Sequence, residues 1–142
     1  MKSGTPSILI VEDEQKLRRL IELHLSGENF LPHAVPDAET ALALLRTQHF
    51  DLIVTDFKLP GMNGLEFLQA VKRFDAALPV VVMTAYGTVE SAVDAMKAGA
   101  SDYVLKPFSL AELVMVIRKE LDSRHLRDEN RSLREALGHR YE

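Results

Sequence analysis

Glu12, Asp13, Asp56, Thr84 and Lys106 are the residues of this chain whose types, taken together, make up a reaction centre. Three carboxylates, a hydroxyl and an ammonium would form a site for a hard cation and a phosphoryl group. Carboxylates gathered within a few ångströms repel one another and take up protons unless a positive charge offsets them. Mg²⁺ suits that role, because it takes oxygen ligands, tolerates one or two carboxylates and keeps waters that a phosphate can replace. Lys106 supplies the fixed positive charge. Asp56 could then attack phosphorus as a carboxylate nucleophile, while metal, lysine and hydroxyl hold the phosphoryl oxygens during in-line transfer. Each residue alone has a plainer reading. An Asp after a strand is usually a turn or cap residue, and Glu12-Asp13-Glu14 could be an acidic first helical turn. Lys106 before Pro107 could be a solvated loop residue. Their joint placement at the ends of different strands is what carries the chemical reading.

That placement follows from the pattern of the chain. Short β-rich apolar runs alternate five times with segments of helical period, the pattern of an α/β protein with a doubly wound, five-stranded, mainly parallel sheet. The runs are Ile8–Val11, Phe30–Val35, Leu52–Val54, Val80–Met83 and Tyr103–Leu105. Pro32 makes the second an edge strand, and the lack of alternation in the fourth implies burial on both faces. The helical stripes are Leu17, Leu20, Ile21 and His24, stopped by Gly27; Ala38, Leu42 and Leu45 after the cap Asp37; and Leu65, Leu68 and Val71 after an Asn63/Glu66 capping box. Val89, Val93 and Met96 follow Thr88 and are closed by Gly99; Leu110, Leu113, Val114, Ile117 and Leu121 follow a Ser109/Glu112 box. Ligands of such a sheet bind at the carboxyl ends of its strands. Those ends carry Glu12-Asp13, Asp56, Thr84 and Lys106.

Composition narrows the classes further. The 142 residues suffice for one domain with a complete core, and 46% hydrophobic with 27% charged residues is ordinary for a soluble protein. Zero cysteines exclude a disulfide scaffold and thiolate zinc, and the five histidines have no ligand spacing, so a reducing cytoplasm is the expected setting. A net charge of -4 offers no field for phosphate backbones, so this chain is not expected to bind nucleic acid by itself. No apolar run is long enough for a bilayer, so no membrane association is expected.

At this point the residues resemble a known family, the receiver domain of two-component response regulators, with a CheY-like fold. The resemblance covers about residues 6 to 121. It rests on Ile8 to Glu14 as the acidic-pair segment, on Asp56 with Leu59-Pro60-Gly61-Met62-Asn63-Gly64, on Met83-Thr84-Ala85, and on Asp102 to Phe108. It implies strand order 2-1-3-4-5 and a phosphoacceptor, Asp56, served by a sensor histidine kinase. It also implies Mg²⁺ held by Asp13, Asp56 and the backbone carbonyl of Lys58, with Glu12 acting through water. Thr84 and Lys106 would grip the phosphoryl oxygens. Thr84 and Tyr103 would form the switch, altering the face built from helix four, strand five and helix five. Glu12, where the family more often has Asp, is a mild departure. Such a domain accepts and slowly loses one phosphate rather than turning over a substrate.

A narrower resemblance concerns output. Thr84 to Ala92 and Leu126 to Arg134 look like the NtrC class of sigma-54 activators, in which a helical linker leads into an ATPase module and a DNA-binding domain. The expected division is therefore a receiver over 1–121 and a helical linker over 122–142, the receiver and linker portion of a longer regulator. Ten of the last 21 residues are charged, and Leu126 and Leu133 at d positions would put Asn130 and Leu137 at a positions of a short parallel coiled coil. A homodimer through this helix and the helix-four face is expected. Two rivals share parts of the pattern. A flavodoxin-like FMN carrier needs hydroxyls and N–H groups where Glu12-Asp13-Glu14 stands, and an aspartyl-phosphate phosphohydrolase needs a substrate-binding cap for which the chain has no room.

Overall fold

The computed structural model describes residues 4–84 and 89–123, with the side chains of 89–91 left aside. Expectations for Ala85 to Thr88 and for the tail beyond residue 123, including its coiled coil, lie outside the described residues. Five parallel strands, β1 (Ser7–Val11), β2 (Leu31–Val35), β3 (Leu52–Asp56), β4 (Val80–Thr84) and β5 (Asp102–Leu105), form one sheet in the order β2-β1-β3-β4-β5. Between them lie α1 (Gln15–Gly27), α2 (Ala38–Leu45), α3 (Gly64–Phe74) and α4 (Val89–Lys97), and α5 occupies residues 110–123. The doubly wound sheet and its order are those expected.

Alternation along each strand sends side chains to two separate cores. Leu9, Val11, Ile53, Val80 and Val82 face α2, α3 and α4, where Ala41, Leu45, Phe67, Leu68, Val71 and Ala95 meet them. Ile8, Ile10, Leu52, Val54, Val81, Met83 and Val104 face Ile21 and Leu25 of α1 and Leu113, Val114 and Ile117 of α5. Helices on both faces explain why β3 and β4 are buried at every residue. Pro32 lies on β2, which is indeed an edge strand.

The helix ends follow the side chains written at them. Asp37 accepts from the Thr40 N–H at 2.7 Å. Asn63 and Glu66 form a reciprocal capping box, with bonds of 2.9 and 3.1 Å, and Ser109 accepts from the Glu112 N–H at 3.0 Å. Gly99, at φ +111°, lets the Ala100 N–H turn back to the Ala95 carbonyl. Gly27 ends α1 as expected, being its last helical residue, and Asn29, at φ 68°, takes the left-handed position beyond it; its short polar side chain tolerates that region. Among the described side chains of α4 the buried ones are Ala92 and Ala95, whereas Val93 and Met96 are 45% and 42% exposed. Of the stripe expected there, Val93 and Met96 lie at the surface beside Tyr103 and Leu105 of β5.

Candidate functional site

Strand register brings the candidate site residues together. Val11 of β1 pairs with Thr55 of β3, and Asp56 pairs with Met83 of β4. Glu12-Asp13, Asp56 and Thr84 therefore leave three adjacent strands at the same level. Thr84 pairs with Leu105 of β5, and the Lys106 N–H donates to the Thr84 carbonyl at 2.7 Å, which delivers the lysine to the same rim.

Carboxylate oxygens of Glu12, Asp13 and Asp56 lie within 4.8 Å of one another. Glu12 and Asp56 are buried and Asp13 is exposed, so the cluster opens to solvent on the Asp13 side. Lys106 Nζ bridges the two buried acids, donating to Asp56 Oδ2 at 3.0 Å and Glu12 Oε1 at 3.2 Å. Backbone N–H groups take the remaining oxygens: Glu14 donates to Glu12 Oε2 at 3.0 Å, and Lys58 to Asp56 Oδ1 at 3.2 Å. Burial pushes the Glu12 carboxyl above its ordinary value, against the Glu14 N–H, and the Asp56 charge pushes the same way while Lys106 opposes it. For Lys106, burial works against the charged form, but the hydrogen bond and charge of Asp56, then those of Glu12, outweigh it and raise the ammonium. Three carboxylates facing one ammonium leave an excess of hard, anionic oxygen, a donor set that fits a small divalent cation.

Thr84 is fully buried, and its Oγ1 has no hydrogen-bond partner among the described residues. A buried hydroxyl without a partner costs stability, and it stands ready for an acceptor such as a phosphoryl oxygen. Tyr103 is not part of the acidic rim. It is 37% exposed and lines a groove of ≈ 370 Å³ with Ala92, Val93, Met96, Lys97 and Leu105.

The loop between β3 and α3 is shaped by close backbone contacts. The Gly64 N–H closes it onto the Phe57 carbonyl at 2.8 Å, and a Cβ at position 64 would collide with that same carbonyl group. Gly61 takes φ +73° beside the Glu39 carboxylate, which accepts from the Met62 N–H at 3.3 Å. Sequence reasoning passed over Glu39 and also Arg18, whose Nη1 donates to the carbonyl oxygens of Glu12 at 2.9 Å and Asp13 at 3.4 Å. Arg18 had one usable signal: side chains of a helix lean toward its N-terminus, so an Arg one turn inside α1 reaches back over the acidic loop. Glu39 had none, because its target belongs to a loop far along the chain.

Comparison with known proteins agrees with this arrangement. The response regulator receiver domain matches residues 8–118. Regulatory protein AtoC of Escherichia coli K12 is 38% identical over 130 residues, covering 92% of this chain and 28% of AtoC. The C4-dicarboxylate transport transcriptional regulatory protein DctD of Rhizobium meliloti is 34% identical over 134 residues, covering 94% of this chain and 29% of DctD. The chain thus spans less than a third of these curated relatives. Among solved structures, NtrX from Brucella abortus in complex with ADP superposes with a TM-score of 0.87 at 35% identity, over 90% of this chain and 30% of that one. A CheY-like receiver domain protein from Methanospirillum hungatei gives 0.83 at 27% identity, over 87% of this chain and 99% of that one. AtoC, DctD and NtrX are NtrC-class regulators, and the chain belongs to the response regulator receiver domain family of two-component signalling.

Proposed function

We propose that Asp56 is the phosphoacceptor of this receiver and that Glu12, Asp13, Thr84 and Lys106 serve its phosphorylation. The observation that carries this reading is Asp56 itself. It is a buried carboxylate at the end of a central strand, 3.0 Å from an ammonium and one strand from a buried hydroxyl that has no partner among the described residues. In the transfer, a carboxylate oxygen of Asp56 forms a bond to phosphorus as the P–N bond of a kinase phosphohistidine breaks. The electron pair of that bond returns to the imidazole, which takes up a proton. Asp13, Asp56 and the Lys58 backbone carbonyl would hold Mg²⁺, with Glu12 acting through water. Bound there, Mg²⁺ would offset the carboxylate charge and draw the phosphoryl oxygens. Lys106 would take one phosphoryl oxygen, and the Thr84 hydroxyl would donate to another. The domain carries one phosphate at a time and is not a turnover enzyme.

Movement of Thr84 toward that phosphate, with Tyr103 turning inward, would alter the face of α4, β5 and α5. Its exposed Val93, Met96 and Leu105 support a surface that changes partner with phosphorylation. The partners on this reading are a cognate sensor histidine kinase in the cytoplasm and a second copy of the chain, docked through that face and the C-terminal helix. Residues 122–142 serve as the linker to a transcriptional output region of the kind NtrC-class regulators carry. Among the described residues no helix is long and apolar enough to cross a membrane.

Intact mass after incubation with acetyl phosphate and Mg²⁺ tests the assignment. One phosphoryl group per chain is expected, with none in Asp56→Asn or in excess EDTA. Undiminished labelling of Asp56→Asn, or steady hydrolysis of small phosphate esters, would overturn it.

A further inference from the structure

Asp13 is the exposed member of the acidic cluster, and its orientation depends on the peptide groups on either side of it. Both of their carbonyl oxygens, those of Glu12 and Asp13, are held by one guanidinium nitrogen, Nη1 of Arg18. The Glu12 N–H is fixed separately, donating to the Val35 carbonyl of the neighbouring strand at 3.1 Å. Glu14, the cap residue of α1, makes no side-chain cap bond, so its side chain does not brace the end of this loop. A cation this near a helix N-terminus works against the helix dipole. Its half-buried position, clasped on two carbonyls, gives it a task that outweighs that disadvantage.

We infer that Arg18 is a positioning residue for the metal site: by clasping the carbonyls that flank Asp13, it sets the direction of the Asp13 carboxylate toward Glu12 and Asp56. The inference rests on the reading of this cluster as the Mg²⁺ site, and it makes a prediction opposite in sign to simple electrostatics. If Arg18 acted only as a nearby positive charge, removing it would tighten Mg²⁺ binding. As a clasp, its removal weakens binding, because loss of a group that orients a metal ligand typically lowers affinity by about tenfold or more.

The test is calorimetric titration of the full chain with Mg²⁺, no phosphodonor present, for wild type, Asp13→Ala, Arg18→Ala and Arg18→Lys, with thermal unfolding of each metal-free protein alongside. Wild type should bind and Asp13→Ala should bind far more weakly; if wild type does not bind, or Asp13→Ala binds equally well, the metal reading itself fails. Given that control, Arg18→Ala should raise the Mg²⁺ Kd about tenfold. Arg18→Lys keeps the charge but replaces the planar guanidinium, and should recover only part of the loss. Unchanged or tighter binding by Arg18→Ala, or full recovery by Arg18→Lys, would overturn the clasp. If Arg18→Ala does not fold, Arg18→Lys decides alone: a weakened Kd with unchanged melting supports the inference, and a wild-type Kd ends it.

Discussion

The helices α3 and α4 lie on the same face of the sheet and are held to it differently. The α3 helix puts Phe67, Leu68 and Val71 into the core at 0% exposure, and its first turn is locked by a capping box. Among its described side chains, the α4 helix reaches the core through Ala92 and Ala95, while the larger Val93 and Met96 lie partly exposed beside β5. The strands beneath differ too. Every residue of β4 is buried, whereas β5 buries only Val104 on the α1 and α5 side and leaves Tyr103 and Leu105 exposed beside α4. Among the described side chains, one helix is therefore anchored by large residues and the other touches the sheet through methyl groups. The second arrangement buries less apolar area per residue and is the cheaper one to displace. The site stands between these regions, with Asp56 on the strand that leads into α3 and Thr84 on the strand that leads toward α4.

The contrast can be broken most directly at Phe67. Phe67→Ala should cost about 3–5 kcal/mol in urea unfolding, since it empties a fully buried aromatic volume; a loss below about 1 kcal/mol would mean that α3 is not the anchored helix. Ala95→Leu tests the other side at its point of contact. The position is wholly buried, so added bulk should cost about 1–3 kcal/mol. A neutral result would show that α4 moves away without penalty.

A smaller effect is expected at the cap of α2, which shares the anchored face. Asp37→Ala should cost about 1 kcal/mol near neutral pH. Hydrogen bonds from Thr40, side chain first and then backbone, hold the Asp37 carboxyl below its ordinary 3.8. A lowered carboxyl stabilises the fold above that value, and the contribution fades as pH falls through the folded pKa. The gap between wild type and Asp37→Ala should therefore close in acid unfolding below about pH 3.8, and a gap that widens there would refute the cap as its source. The smallest change belongs to the outer face. Met96→Ser should alter stability by no more than about 0.5 kcal/mol, while weakening any self-association of the chain measured by sedimentation. If it destabilises the monomer as Phe67→Ala does, Met96 is packed and the contrast fails.

The outcome at Phe67 bears on how the chain can be read, because Phe67 is absent from the stripe that periodicity assigns to α3. Leu65, Leu68 and Val71 satisfy the helical spacing, yet Leu65 is only half-buried and Phe67 is fully enclosed. An apolar arc on a helix is broad, and its centre is chosen by the surface against which it packs. On α4, too, the spacing singled out Val93 and Met96 rather than the buried Ala92 and Ala95, because alanines carry little hydrophobic signal but fit closely against the sheet. Caps were legible because Asp37, Asn63 with Glu66, and Ser109 act on backbone groups only three residues away.

Local chemistry thus determined much by itself: the alternation of strands and helices, the edge strand with Pro32, the caps, and the reactive residues at strand ends. Parallel strands in register then have only one rim at which those residues can gather, which is why Glu12, Asp13, Asp56 and Lys106 were found together from their positions in the chain. Tertiary structure alone decided what surrounds them. Lys106 bridging Glu12 and Asp56, the Thr84 hydroxyl without a partner among the described residues, and Arg18 and Glu39 gripping loop backbone all depend on where carbonyls, N–H groups and distant helices lie in space. Residue type and spacing specify a side chain's chemistry, but a backbone group acquires a partner only when the folded chain delivers one.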